Sequence, residues 1–239
     1  MMRMDAVSKL DDLLARKRML EARSAAAPAF AARLRALRAW QAARLAQTYA
    51  DLRKDTRYGA AVEFFLTDVY GSDNIARRDR DLARAWRYLK RALPQGALEV
   101  LERAVALDLL STELDHAMAE RLPAAVLSPA IYAATYRRVG RVDERRHQID
   151  LLVGIGTDLD RIVQRTWIAV ALRSAHVPAY AAGFGALQAF LERGLTAFRR
   201  MRGAEKFLAL IRARETHLLE AIISGDPPYE AVLKQVVAR

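Results

Sequence analysis

The sequence predicts an all-α fold: a single multi-helix bundle of about ten helices. Three observations carry that expectation. Ala, Leu and Arg dominate the 239 residues, and all three favour helix. Gly (11) and Pro (7) are sparse, and most of them stand between amphipathic stretches. There is no Asn-Gly hairpin signal and no sustained alternation of β-branched residues. A hydrophobic fraction of 53% and a mean hydropathy of -0.05 fit a globular chain that buries a core. One domain over 1–239 suffices at this length, with 1–27 as a peripheral N-terminal helix.

The elements follow in order. Leu10, Leu13 and Leu14 mark an amphipathic helix over 7–23. Pro28 opens a second, to about 53. A third covers 57–70 and stops at Gly71. The polar run 71–74 reads as a loop, leading to a fourth helix over 80–93 with Asp79 as N-cap. Pro94 starts a fifth, to about 110, and Ser111 caps a short helix that ends before Pro123. Ser128-Pro129 begins the next, and Gly140 ends it. Residues 142–174 form a long helix, apolar in its middle. Gly156 falls on its apolar side, where it permits close helix packing. Pro178 restarts the chain, Gly183-Phe184-Gly185 marks a bend, and Gly203 breaks the helix that follows. A helix over 204–224 is closed by the Gly-Asp-Pro-Pro run at 225–228, and a last helix covers 229–237.

Composition also bounds function. With no cysteine, disulfides, thiolate metal sites and cysteine nucleophiles are excluded. The first twenty residues carry Asp5, Lys9, Asp11, Asp12 and Arg16, unlike a secretory leader. No stretch reaches the roughly 18 uncharged apolar residues of a membrane span. The expectation is a soluble cytoplasmic protein, bacterial in its Arg-heavy, Ala-rich usage.

The net charge is +11, concentrated in residues 1–60 and 123–202. Such a field attracts nucleic acid or anionic surfaces without specificity. On the second helix, however, Arg33 and Arg44 flank the apolar face on one side and Arg35, Arg38 and Arg53 on the other. They form no single exposed stripe, and stems so placed cover apolar surface. No nucleic-acid-binding signature is found.

One motif stands apart. In the stretch 62–70, Val62, Phe65, Leu66, Val69 and Tyr70 share one broad helical face, and Phe64 lies nearly opposite, beside Asp68. A helix apolar on both sides sits centrally in a bundle, and bundle interiors also host ligand sites. Phe64-Phe65-Leu66-Thr67-Asp68-Val69-Tyr70 resembles the signature of the proteobacterial "FFLEELY motif" proteins. Phe64, Phe65, Leu66 and Tyr70 match it; Thr67, Asp68 and Val69 depart. The Arg77-Arg78-Asp79, Leu93-Pro94, Ala197-Phe198-Arg199 and Arg214-Glu215 segments are family-like as well. The resemblance touches most of the chain and implies no activity.

Glu215 projects into the middle of the apolar face formed by Phe207, Ile211, Leu218 and Ile222. A carboxylate placed there requires a partner, and Arg77 or Arg78 is the expected one.

Two Glu-x-x-His pairs, Glu113/His116 and Glu144/His147, together with Glu63 and Glu215, echo the ligand set of di-metal carboxylate bundles. Arg145 and Arg146 beside His147, and the placement of both glutamates in expected first turns, argue against that reading. His176 and His217 stand apart from any nucleophile setting, and no phosphate loop or dinucleotide fingerprint is present.

The leading expectation is a non-catalytic binding protein with no metal and no cofactor. Its hydrophobic groove takes a small ligand or a partner helix, through Phe64, Phe65, Tyr70, Arg77, Arg78 and Glu215. Self-association is compatible with it. The alternatives are a nucleic-acid-associated protein and a di-metal enzyme.

Overall fold

The computed structural model describes residues 2–69, 72–123, 126–226 and 228–238. Among these residues it holds twelve α-helices, one π-helical turn and no strand. In chain order they are α1 (Met2–Ala25), α2 (Pro28–Thr48), α3 (Ala50–Lys54), α4 (Gly59–Phe64), the π-turn (Phe65–Val69), α5 (Ser72–Ala92), α6 (Gln95–Arg121), α7 (Pro129–Val139), α8 (Val142–Val163), α9 (Thr166–Ala181), α10 (Gly185–Met201), α11 (Glu205–Ser224) and α12 (Tyr229–Ala238). The all-α bundle expected from composition is therefore the fold.

Three apolar cores hold it together. Leu10 of α1 packs against Trp86 of α5 and Leu98 and Val105 of α6. A second core joins Leu37 of α2, Met118 of α6, Tyr132 of α7, Leu218 of α11 and Val232 of α12. A third joins Leu45, Val62, Phe64, Phe198, Phe207 and Leu208. Helices α2 and α11 run through the last two cores, so they tie the bundle together lengthwise. Side chains as enclosed as Phe198 and Phe207 each contribute about 1.5–3 kcal/mol by leaving water. Where α8 crosses α11, a Cβ on Gly156 would stand 2.5 Å from Leu208 Cδ2, so any larger residue would have to displace the Leu208 side chain.

The turn chemistry explains most boundaries. Ser128 caps α7 by accepting the Ile131 N–H at 3.2 Å. Gly140 and Gly225 end α7 and α11 with φ of 64° and 76°. Four expectations are corrected. Ser111 lies inside α6, its hydroxyl donating to the Leu107 carbonyl of the turn before. Asp79 lies inside α5, which already starts at Ser72, and it pairs with Arg78 and Lys17 instead of capping. The expected long helix over 142–174 breaks at Gln164–Arg165, where the Arg199 Nε donates to the final carbonyl of α8 at 2.8 Å. Pro178 continues α9, and Gly183, at φ 77°, makes the turn.

Much of the arginine content serves helix ends and crossings. Arg57 donates to the carbonyls of Met201, Arg202 and Gly203 at the end of α10. Arg137 donates to the Ile222 carbonyl near the end of α11, and Arg33 to that of Ala119. Unpaired carbonyls in the last turn of a helix favour such cationic donors.

Candidate functional site

The Phe64–Phe65 pair is packed into the third core. Phe64 meets Phe190 of α10 at 5.2 Å between ring centroids and faces Gly194, where a Cβ would lie 3.0 Å from its ring. Phe65 meets Phe198 and Phe207 on the other side. The motif is thus the two-sided central segment its pattern predicts, but it is not a plain α-helix. After Phe64 it widens into the π-turn. Such turns carry one residue more than the α-helix and recur at functional sites.

The widening exposes a use for Asp68. Its side chain is buried, only 4% exposed, and both carboxylate oxygens accept from the Arg193 Nε of α10, at 3.0 and 3.1 Å. The Arg193 Nη2 donates to the same carboxylate. Arg78 Nη1 donates to the Asp68 carbonyl at 3.2 Å, and Arg78 also holds Asp79 at 2.9 Å. Asp79 in turn pairs with Lys17, which pairs with Asp108 of α6. One chain of charge therefore links α10, the π-turn, α5, α1 and α6. Burial pulls the Lys17 ammonium down, but Asp108 and Asp79 outweigh it and its pKa ends raised.

Beside the Asp68–Arg193 pair opens a cleft of about 340 Å³, lined by Asp68, Arg77, Arg78, Tyr180, Phe190 and Arg193, with Gly185, Ala186 and Ala189. The Arg78 guanidinium lies over the Phe190 ring at 4.8 Å, so Phe190 both floors the cleft and holds the cation in place. The first amides of α10 are taken: Asp81 accepts from the Ala186 and Leu187 N–H groups at 3.0 and 3.2 Å. The guanidinium groups, not the helix end, therefore supply the positive character.

Of the residues expected to bind a ligand, Arg77 and Arg78 line this cleft. Phe64 and Phe65 lie behind it, and Tyr70 is outside the described residues. The cleft is mixed in character, cationic on its walls and apolar on its floor. No local sequence pattern marks Arg193 or Phe190. The available signal was Asp68, a carboxylate inside an aromatic motif that demanded a cation from another helix.

Glu215 lies elsewhere, at the seam between the second and third cores. Its partner is Arg44 of α2, whose Nη1 donates at 2.6 and 2.9 Å, and the Tyr49 hydroxyl donates at 2.8 Å. The expected pairing with Arg77 or Arg78 is corrected, since those residues are committed to the cleft. The adjacent Arg214 donates to Asp51 at 2.8 and 2.7 Å and to the Thr48 carbonyl at 2.9 Å. Arg214-Glu215 thus fastens α11 to α2 and α3 with opposite charges in consecutive positions. Burial lowers the Arg44 guanidinium's affinity for its proton, but Glu215 more than compensates, so its pKa is raised. The Arg44 Nε stays buried without a partner.

The four carboxylates of the di-metal alternative are each held by an arginine, and Glu113 and Glu144 share Arg141. Glu113 pairs with Arg16, Glu144 with Arg141, Glu63 with Arg53 and Glu215 with Arg44. His116 is buried and shares a hydrogen bond with Ser24, while His147 is exposed. Among the described residues, no group of three or more His, Asp or Glu side chains is placed to hold a metal ion. Nor is any described helix long and apolar enough to cross a membrane. Three of the four α2 arginines bond internally, Arg33 to a carbonyl, Arg38 to Asp115 and Arg44 to Glu215, and Arg35 is exposed.

Fold and site together define a helical bundle with a cationic cleft built against a π-helical turn. The chain belongs to the family described as "Domain of unknown function (DUF8198)", whose model matches residues 20–228. No curated protein and no solved structure matches it significantly.

Proposed function

We propose that the protein is a non-catalytic binding protein. Its cleft takes a small ligand that carries an anionic group on an apolar body. One observation carries this reading. Three guanidinium groups, Arg77, Arg78 and Arg193, line a cleft floored by Phe190, Ala186 and Ala189, and the one carboxylate among its described lining residues, Asp68, is buried against Arg193. The volume lies at the lower end of the roughly 300–1,000 Å³ typical of ligand sites. The Phe64–Tyr70 signature and the Arg- and Ala-rich composition support a bacterial, cytoplasmic setting among the FFLEELY motif proteins.

The test uses anilinonaphthalene sulfonate, an apolar anion, as a fluorescent probe. Saturable binding with one probe per chain is expected. Arg77→Glu, an exposed change, and Ala189→Trp, which fills the cleft, should each weaken it about tenfold or more, the effect of losing roughly 1.4 kcal/mol. Native mass spectrometry of the purified protein should show a co-purified anion that both variants lose. Equal probe binding by wild type and both variants would remove the cleft from consideration.

A further inference from the structure

Helix α9 is the most apolar of the helices of ten residues or more, yet none of its residues is buried. Ile168, Leu172 and Ala179 turn partly inward, and the Leu172 carbonyl accepts from Gln188 of α10 at 2.7 Å. The opposite face is open. At about 100° per residue, Val177, Val170, Ala181, Ser174 and Trp167 fall within an arc of about 80°. Trp167 is 53% exposed, Val170 60% and Val177 74%. Exposure of this kind, contiguous along one helix, marks an interaction surface.

Charge says what the surface meets. From residue 161 to 204 the chain carries seven arginines and a single acid, Glu192. That acid is turned toward His176 and Gln188, which both bond it. Arg165 and Arg173 are exposed beside the apolar face and have no acidic neighbour on α9. A second copy of this face would bring like charges together. Trp167 stands in the first turn and Tyr180, 49% exposed, in the last, about 20 Å away. Aromatic rings at both ends of an apolar helix flanked by arginine suit a boundary between anionic headgroups and acyl chains.

We infer that the outer face of α9 docks flat on an anionic lipid surface, with Trp167, Val170 and Val177 in the acyl boundary and Arg165 and Arg173 among the headgroups. This is peripheral attachment through Trp167, Val170 and Val177, none of which lines the cleft; Tyr180 borders both.

Co-sedimentation of the full chain with lipid vesicles tests it. Vesicles of phosphatidylcholine with about a third phosphatidylglycerol should carry the protein down at low salt, roughly tenfold better than phosphatidylcholine alone, and added salt should release it. Binding should shift the tryptophan emission to the blue, and Trp167→Phe should abolish the shift, because Trp40 and Trp86 lie in the packed cores. The double variant Val170→Asp/Val177→Asp changes only exposed positions; it should keep its helical circular dichroism and lose sedimentation. Equal sedimentation of this variant and wild type, or no preference for anionic vesicles, overturns the inference. So does a wild-type dimer in analytical ultracentrifugation that the double variant converts to monomer, since a second copy would then own the face.

Discussion

The Arg44–Glu215 and Arg193–Asp68 pairs are chemically alike and differ in what surrounds the cation. Both place a largely buried carboxylate against a guanidinium from a distant helix. Arg44 is enclosed, its side chain 13% exposed, and a tyrosine hydroxyl completes the acid's bonding. Arg193 is 48% exposed and borders open space. An enclosed pair offers nothing to a visitor and serves to align α2 with α11. A pair with one open side holds a cation in a fixed pose where a ligand can reach it. On the proposed function, the two pairs separate architecture from recognition within one chain.

The largest expected effect is at the enclosed pair. Glu215→Ala leaves Arg44 charged and buried without its acid, which should cost about 3–5 kcal/mol in chemical denaturation. The double change Arg44→Met/Glu215→Leu should recover most of that loss, because apolar side chains of similar volume replace buried pairs well. A loss below about 1 kcal/mol for the single variant would show that water reaches Arg44. Asp68→Asn comes next. Arg193 can hydrate when its acid is gone, so the cost should be about 1–2 kcal/mol, and the larger consequence should be weaker probe binding in the cleft. Should Asp68→Asn destabilise as much as Glu215→Ala, the distinction between the pairs fails.

The smallest effect is on the pH profile. The Arg214 hydrogen bond lowers the Asp51 pKa, so the stability from this pair is present above the unfolded value near 4 and is lost as pH falls through the lower folded value. Asp115 behaves oppositely. Burial raises its pKa against the pull of Arg38 and Gln41, so the folded state takes up the proton first and acidification from neutral pH relieves a cost. Asp51→Asn should therefore flatten the acid-side loss of stability, and Asp115→Asn should steepen the fall just above pH 4. Identical slopes for both variants and wild type, read from urea midpoints at successive pH values, would contradict these assignments.

The fold was legible because its signals are local. Pro28, Pro94, Ser128, Gly140, Gly203 and Gly225 mark ends that the chain makes with its own neighbours. Ser111 and Asp79 misled because a residue that caps one helix can sit inside another, bonding backward or to a distant cation. Glu215 was legible as a buried acid, but its partner lies 171 residues away, and spacing carries no information at that range. The cleft needed two such long-range placements, Asp68 against Arg193 across 125 positions and Arg78 over Phe190. The π-turn was hidden for another reason. Apolar residues at helical intervals look the same whether or not one residue is surplus.

That surplus residue makes the motif's length a specification in its own right. Inserting a further residue after Leu66, beyond the one the π-turn already absorbs, would swing everything past it by about 100°. Asp68 would then leave Arg193, while Phe64 and Phe65 kept their places in the core. Substitutions in this segment act as graded changes of packing or charge. A change of length acts as a step, because half a helical grip cannot be let go.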